Sequence, residues 1–318
     1  MSLNFWGEKN LIMVNPQTDN EWTIHSINIH GVFFEHWCED LFRSVPGLKV
    51  VSTNYPVEFP PPNGPFRGKE SALDIRVELR EGSKILTFIV ECKKNNPDFV
   101  DWVFFPKRGE MAQRQFVARV IENQTKQEPN VGWDVNTHLL QLPMNSVTLF
   151  SEAREARGDY QSFKSGQKTK TSNAAVTDAA YQVALATQAI WMEETQHSQQ
   201  QAKYNPIPKL GYESQLIVPC IVTTAQLYSC SFDPKDVNPG TGEISLDKTI
   251  LKQVPFIIYE YSLPKHLQVA PLDLSQVISS NTFEVLVRMD ILIINSSYLR
   301  YLLTEDISID SMIRIFFG

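Results

Sequence analysis

Asp74, Glu91 and Lys93 are three side chains whose types and spacing could do hydrolytic chemistry together. The segment Ser71-Ala-Leu-Asp-Ile-Arg-Val-Glu-Leu-Arg80 alternates apolar and polar residues, and Lys84-Ile-Leu-Thr-Phe-Ile-Val-Glu-Cys-Lys93 is a β-rich run. Glu81-Gly82-Ser83 lies between them, so the pattern predicts a β-hairpin. With Gly82 and Ser83 as a two-residue turn, Asp74 falls directly opposite Glu91. The strand period of two then puts Lys93 on the same face as Glu91. Two carboxylates facing each other across a ladder repel, and folding alone does not account for such a pair. A divalent cation removes the repulsion. Two hard carboxylate donors with a lysine beside them suit a Mg²⁺ site that polarises a phosphate and activates a water. The bland alternative is a solvated salt-bridge face on an exposed sheet.

The surrounding segments must position these groups. From Ile29 to Ser44, Phe34, Trp37, Cys38, Leu41 and Phe42 form one apolar helical stripe, with Glu35 on its border and Glu39 a turn further on. Residues 1–25 read as a turn-rich lead-in, Leu48 to Val57 as a strand, and Phe59 to Pro65 as a stiff loop. Residues 95–172 show no single strong period and read as an insertion, with a helix expected over 110–123. Within it Ser162 to Ser172 is polar and basic; Lys164, Lys168 and Lys170 could track a nucleic-acid backbone, although a mobile polar loop is the simpler reading. A long helix is expected from Asn173 to about Thr195, with Val176, Ala179, Ala180, Val183, Thr187, Ile190 and Trp191 on one stripe. Gln182 and Gln188 on this helix read as a solvated face. Strands follow at Gln215–Thr224, Val254–Tyr259 and Phe283–Asn295, then a capped helix at Ser296–Glu305; Pro219 and Pro255 suggest edges or bulges. The order of elements predicts an α/β sandwich around a mixed central sheet, one domain over 1–318 with its core in 29–94 and 173–305.

Composition narrows the function classes. The chain has 318 residues, 42% of them hydrophobic, and a net charge of −7, so binding to a polyanion must come from a local basic surface together with metal. Cys38, Cys92, Cys220 and Cys230 form no C-x-x-C pair and lie mostly in apolar runs, which fits buried thiols in a reducing compartment. Zinc is not expected, since the six histidines also lack ligand spacing. The chain shows no signal peptide, no apolar membrane span and no P-loop. A cytoplasmic location without membrane contact is expected.

The order of elements and the residues on them resemble the restriction-endonuclease-like superfamily, the PD-(D/E)xK nucleases. That pattern has a helix carrying a Glu, a strand ending near an Asp, and (D/E)-x-K at the end of the following strand. The matching positions are Glu35, Asp74 and Glu91-Cys92-Lys93, over roughly residues 29–224. Leu73 stands where the pattern has its proline, which many members lack. A second acidic-x-lysine triplet, Asp233-Pro-Lys235, sits in a turn-like segment without a preceding apolar strand. The resemblance implies metal-dependent hydrolysis of phosphodiesters, usually of DNA, with Mg²⁺ as cofactor and Mn²⁺ able to substitute. Asp74, Glu91 and the backbone carbonyl of Cys92 would then be metal ligands. Lys93 would position the attacking water, help deprotonate it, or bind the scissile phosphate. Glu35 would complete the metal shell directly or through water, or else be a solvated helix residue.

The expected function is therefore that of a Mg²⁺-dependent deoxyribonuclease in restriction, defence or DNA processing. The alternative is a catalytically inactive nucleic-acid-binding or scaffold protein that keeps the nuclease fold. A homodimer is expected on duplex DNA, because two copies on a two-fold axis cut both strands; Trp102, Phe104, Phe105, Phe316 and Phe317 are aromatics that could be exposed for it.

Overall fold

Residues 16–59, 69–95, 100–108, 113–114, 116–125, 133–141, 147–156, 174–204, 213–268, 287–303 and 308–312 are described by the computed structural model. The chain opens with helices α1 (Pro16–His30) and α2 (Val32–Arg43), separated by Gly31. Gly31 takes a left-handed φ of 81°, which breaks the helical path at low steric cost and caps α2. Strands β1 (Leu48–Phe59), β2 (Lys69–Glu81) and β3 (Lys84–Lys93) form an antiparallel meander. Next come β4 (Asp101–Pro106), β5 (Gln113–Arg114), β6 (Val117–Thr125), β7 (Trp133–Gln141) and β8 (Val147–Ala156). Helix α3 (Ala174–Tyr204) leads to β9 (Glu213–Thr223) and β10 (Gln226–Phe232). The chain continues through β11 (Thr249–Gln253), β12 (Phe256–Ser262), β13 (Arg288–Asn295) and helix α4 (Ser296–Leu302).

These strands form a large mixed sheet flanked by helices, in the order β1-β2-β3-β9-β13-β12-β8-β4-β10-β11, with β6 and β7 branching from β9. Helix α3 leads the chain into β9, which pairs with β3 in parallel from Lys84↔Ser214 to Lys93↔Thr223. The same pairing resumes as β4 with β10, also parallel. Only Thr224 and Ala225 separate β9 from β10, and two residues span at most about 7 Å. Four strands nonetheless stand between β9 and β10 along the sheet, so it must curl back until its far end meets its middle. Asn295 fastens this seam by donating from Nδ2 to the Ala225 carbonyl at 2.7 Å.

The sheet separates two apolar layers. On one side α3 buries the stripe expected from its spacing, Val176 to Trp191, against residues such as Ile89, Ile217, Ile221 and Ile291. Ala179, Ala180, Ala184 and Ala186 are fully or almost fully buried, so small side chains set how closely the helix approaches the strands. On the other side Cys38 and Phe42 of α2 join Leu299 and Leu302 of α4 over Val77, Val90, Val218 and Leu292. Replacing Ala184 with leucine is expected to lower stability by about 1–3 kcal/mol through overpacking, read as a lower urea midpoint at unchanged slope.

Several sequence expectations are corrected. Residues 95–172 are not an insertion outside the sheet: β4 and β8 lie within its path and β6 pairs with β9. The expected helix over 110–123 is instead strand at β5 and β6, because Phe116 to Ile121 are all buried and the segment carries no helical alternation. The lead-in contains α1, whose Trp22 and Ile24 are exposed; without a one-sided apolar stripe it had no helical signature. Trp37 is more exposed than its stripe implied and stacks on Phe34 at 5.9 Å. Pro219 is on an interior strand, between Ile217, the last residue paired with β6, and Cys220, the first paired with β13. A residue without an N–H is tolerated where the ladder changes partners. Trp102 and Phe104 are fully buried and offer nothing to a dimer interface; Phe316 and Phe317 lie outside the described residues.

Candidate active site

The hairpin register is the one its turn dictates. Gly82 has φ 58°, while among the described non-glycine residues only Asn54 has a positive φ, so Ser83 does not; this is the type II′ pattern that matches strand twist. Pairing runs from Glu81↔Lys84 to Ile75↔Val90, which brings Asp74 to the level of Glu91. At that level the side chain takes over from the ladder: Asp74 Oδ2 accepts the Cys92 N–H at 2.7 Å. Ile89 belongs to the layer under α3 while Val90 and Cys92 belong to the layer under α2, so Glu91 and Lys93 project on the α3 side at the end of β3.

Helix α2, on the other face of the sheet, holds Glu35 near enough for its charge to act on both carboxyls. Its first turn docks on the end of β3, where a Cβ added at Gly31 would lie 3.6 Å from the Lys94 Cβ and 3.8 Å from Glu35 Oε1. Burial pushes the Asp74 carboxyl up to about 6; the Cys92 N–H and the Lys93 charge oppose the shift, and the Glu35 charge adds to it. Glu91, only 5% exposed, is raised well above the ordinary carboxyl range by burial first and then by Asp74 and Glu35, against the pull of Lys93. Glu35, Asp74, Glu91 and Lys93 are thus close enough to feel one another, although they come from three elements.

Two adjacent carboxyls, Glu91 buried and Asp74 half-buried, can share protons or share a cation, and both states relieve the repulsion. The described residues contain no group of three or more His, Cys, Asp or Glu side chains already arranged to hold a metal ion. The donor chemistry still fits a hard divalent cation. Asp74 and Glu91 supply carboxylate oxygens whose ionisation is costly without one, and the Glu35 charge points the same way. The Cys92 N–H is held by Asp74, a role separate from the ligand role expected of the Cys92 carbonyl.

Neighbouring groups have structural tasks. Lys94 Nζ donates to the Asn28 carbonyl, so it ties the end of β3 to α1. Thr224, just beyond β9, accepts the Asn95 N–H at 3.0 Å and braces the chain after Lys93. Cys38, Cys92 and Cys220 are buried free thiols, and Cys230 is half-buried. Asp233 only caps a short turn, with Oδ1 accepting the Lys235 N–H at 2.9 Å. Lys164, Lys168 and Lys170 lie outside the described residues.

Sequence reasoning missed a buried polar network beneath α3. Gln188 is 1% exposed and not solvated: its Oε1 accepts from Arg119 Nε at 3.0 Å and its Nε2 donates to the Leu267 carbonyl at 2.7 Å. Burial lowers the Arg119 guanidinium to about 10, opposed by the Asp290 charge, and Arg119 also lies 5.5 Å from the Trp191 ring. Asp290 Oδ2 in turn accepts the Val117 N–H at 2.9 Å. Gln182 is half-buried, and its Oε1 has no hydrogen-bond partner among the described residues. The signal that could have exposed this network was an arginine inside an otherwise apolar strand, which in a core requires a polar partner.

Three clefts among the described residues have none of Glu35, Asp74, Glu91 and Lys93 in their walls. One of about 540 Å³ is formed by α2, α4 and the turn after α2, and two adjoining ones are lined by Arg108 and Phe232. No family model, no curated protein and no solved structure matches this chain.

Proposed function

We propose that this chain is a Mg²⁺-dependent deoxyribonuclease that hydrolyses DNA phosphodiester bonds, built on a restriction-endonuclease-like core of α2, β1–β3, α3 and β9. The observation that carries the reading is the Asp74–Glu91 pair. Glu91, buried, and Asp74, half-buried, meet at a strand end with the Lys93 and Glu35 charges acting on both. A fold selected for stability alone gains nothing from that pair, whereas a phosphodiesterase needs anionic donors and a cation at one point.

Asp74 and Glu91, with Glu35 at the margin, would hold the ion, which when bound supplies charge stabilisation to the phosphoryl oxygens and the leaving oxygen. The chain's own groups do the rest. Lys93 would bind the scissile phosphate with its ammonium, or orient a water and favour its deprotonation. The Cys92 N–H fixes the Asp74 carboxylate, so one donor direction is set before anything binds. Docking of α2 on the end of β3 carries Glu35 in as a fourth charge.

The second reading is a non-catalytic nucleic-acid-binding or scaffold protein with this core. What favours it is the lack, among the described residues, of a ready-made group of three metal-binding side chains. Incubation of purified protein with supercoiled, linear and single-stranded DNA, with Mg²⁺ and with EDTA, separates the two. Metal-dependent nicking or degradation is expected; intact DNA in every condition would remove the nuclease reading.

A further inference from the structure

Two adjoining clefts of about 680 and 560 Å³ share Arg108, Ser231 and Phe232 as walls, where β4 and β10 end beside the middle of β8 and β11 begins. The Arg108 guanidinium lies 4.6 Å from the centre of the Phe232 ring, which meets Phe105 edge-on at 6.3 Å. Among the described residues no carboxylate pairs with Arg108; the ring holds it in place and leaves its N–H donors unspent. Arg154 is also exposed and donates only to its neighbour's carbonyl, Ala153, at 2.7 Å. Lys107 and Lys248 lie in the same walls, bound to Glu260 at 2.7 Å and to Asp236 at 3.8 Å. Glu152 and Asp233 are the acidic residues of these walls, so cations outnumber them on a chain whose net charge is −7.

Unspent guanidinium donors beside half-buried aromatic rings form the combination that binds a phosphate backbone and stacks its unpaired bases. We propose that these joined clefts are a binding track for single-stranded nucleic acid, with Arg108 and Arg154 on phosphates and the Phe105–Phe232 pair as a stacking platform. The proposal rests on the nuclease reading and specifies how the substrate is held. β4 begins just after the site on β3, and from Asp101 to Arg108 the chain rises at most about 23 Å. The track therefore grips a strand several nucleotides from the scissile bond and leaves the carboxylates free of binding duties.

Fluorescence anisotropy in EDTA with a labelled single strand of about 20 nucleotides tests this, at about 50 and 200 mM salt. The Arg108→Glu/Arg154→Glu variant, altered only at exposed positions and checked by thermal melting, is expected to bind at least about tenfold more weakly with a shallower salt dependence. Phe232→Ala is expected to lose about tenfold in affinity with its salt dependence kept. Wild-type affinity in both variants, tighter binding of a duplex of equal length, or complete displacement by millimolar inorganic phosphate would each overturn the track. Mg²⁺-supported cleavage by the wild type is measured separately. Cleavage with unimpaired variant binding removes the track and leaves the nuclease; no cleavage with impaired variant binding does the reverse.

Discussion

Glu91→Gln is expected to reduce Mg²⁺-dependent DNA cleavage by at least about a thousandfold while leaving a folded protein, as measured by nicking of supercoiled DNA. Glutamine keeps the volume of a side chain that is 5% exposed, so packing is conserved and only the charge is removed. Once ionised at high pH, that charge is held against burial and against Asp74 and Glu35, so its loss should relieve the metal-free protein there. Activity and stability are thus expected to move in opposite directions, which a general folding defect cannot produce. Cleavage within tenfold of wild type would remove Glu91 from the chemistry.

Stability of the metal-free protein is expected to fall as pH rises from about 4 to 7. Both site carboxyls bind a proton more readily in the folded state than in the unfolded chain, where carboxyls titrate near about 4. Between that value and the folded Asp74 value of about 6, the native state holds the extra proton. The stabilisation is full below the unfolded value and is lost as pH rises through the folded one. For Asp74 alone the difference is on the order of 3 kcal/mol, with Glu91 adding in the same direction. Urea midpoints in EDTA across this range measure it. Asp74→Asn should flatten the profile while still accepting the Cys92 N–H. Asp74→Ala should flatten it and also cost about 1–3 kcal/mol for the donor left unpaired. A divalent cation should stabilise the protein at about pH 8 and hardly at all at about pH 5, where protons occupy the same groups. A profile that rises with pH in wild type would contradict the burial of the pair.

What was legible in the sequence was local. The register of β2 with β3 follows from Gly82-Ser83, α3 from its alternating small and large apolar stripe, and α2 from Cys38 and Phe42, because each signal lies within a few residues. The strands between β3 and α3 were not legible. Val117 to Ile121 are buried on both faces, so no period of two survives, and Arg119 among them reads as a surface residue unless Gln188 and Asp290 are known to be near. The polarity of Gln188 misled for the same reason: its partners, Arg119 and Leu267, are distant in sequence. Spacing shows Asp74 only as a repelling partner of Glu91, and its bond to the Cys92 N–H adds a structural role.

The curled sheet has a consequence for the order in which the molecule assembles. The hairpin that brings Asp74 beside Glu91 closes over two turn residues, so it can form within microseconds of collapse. Completing the curl pairs Gln226 of β10 with Asp101 of β4, about 125 residues apart in the chain, and that closure carries a far larger entropy cost. Topologies governed by such distant pairings fold on the millisecond-to-second scale. The nascent chain therefore assembles the carboxylate pair long before β9 arrives to back it, and spends that interval with the edge of β3 open to any strand that can pair with it.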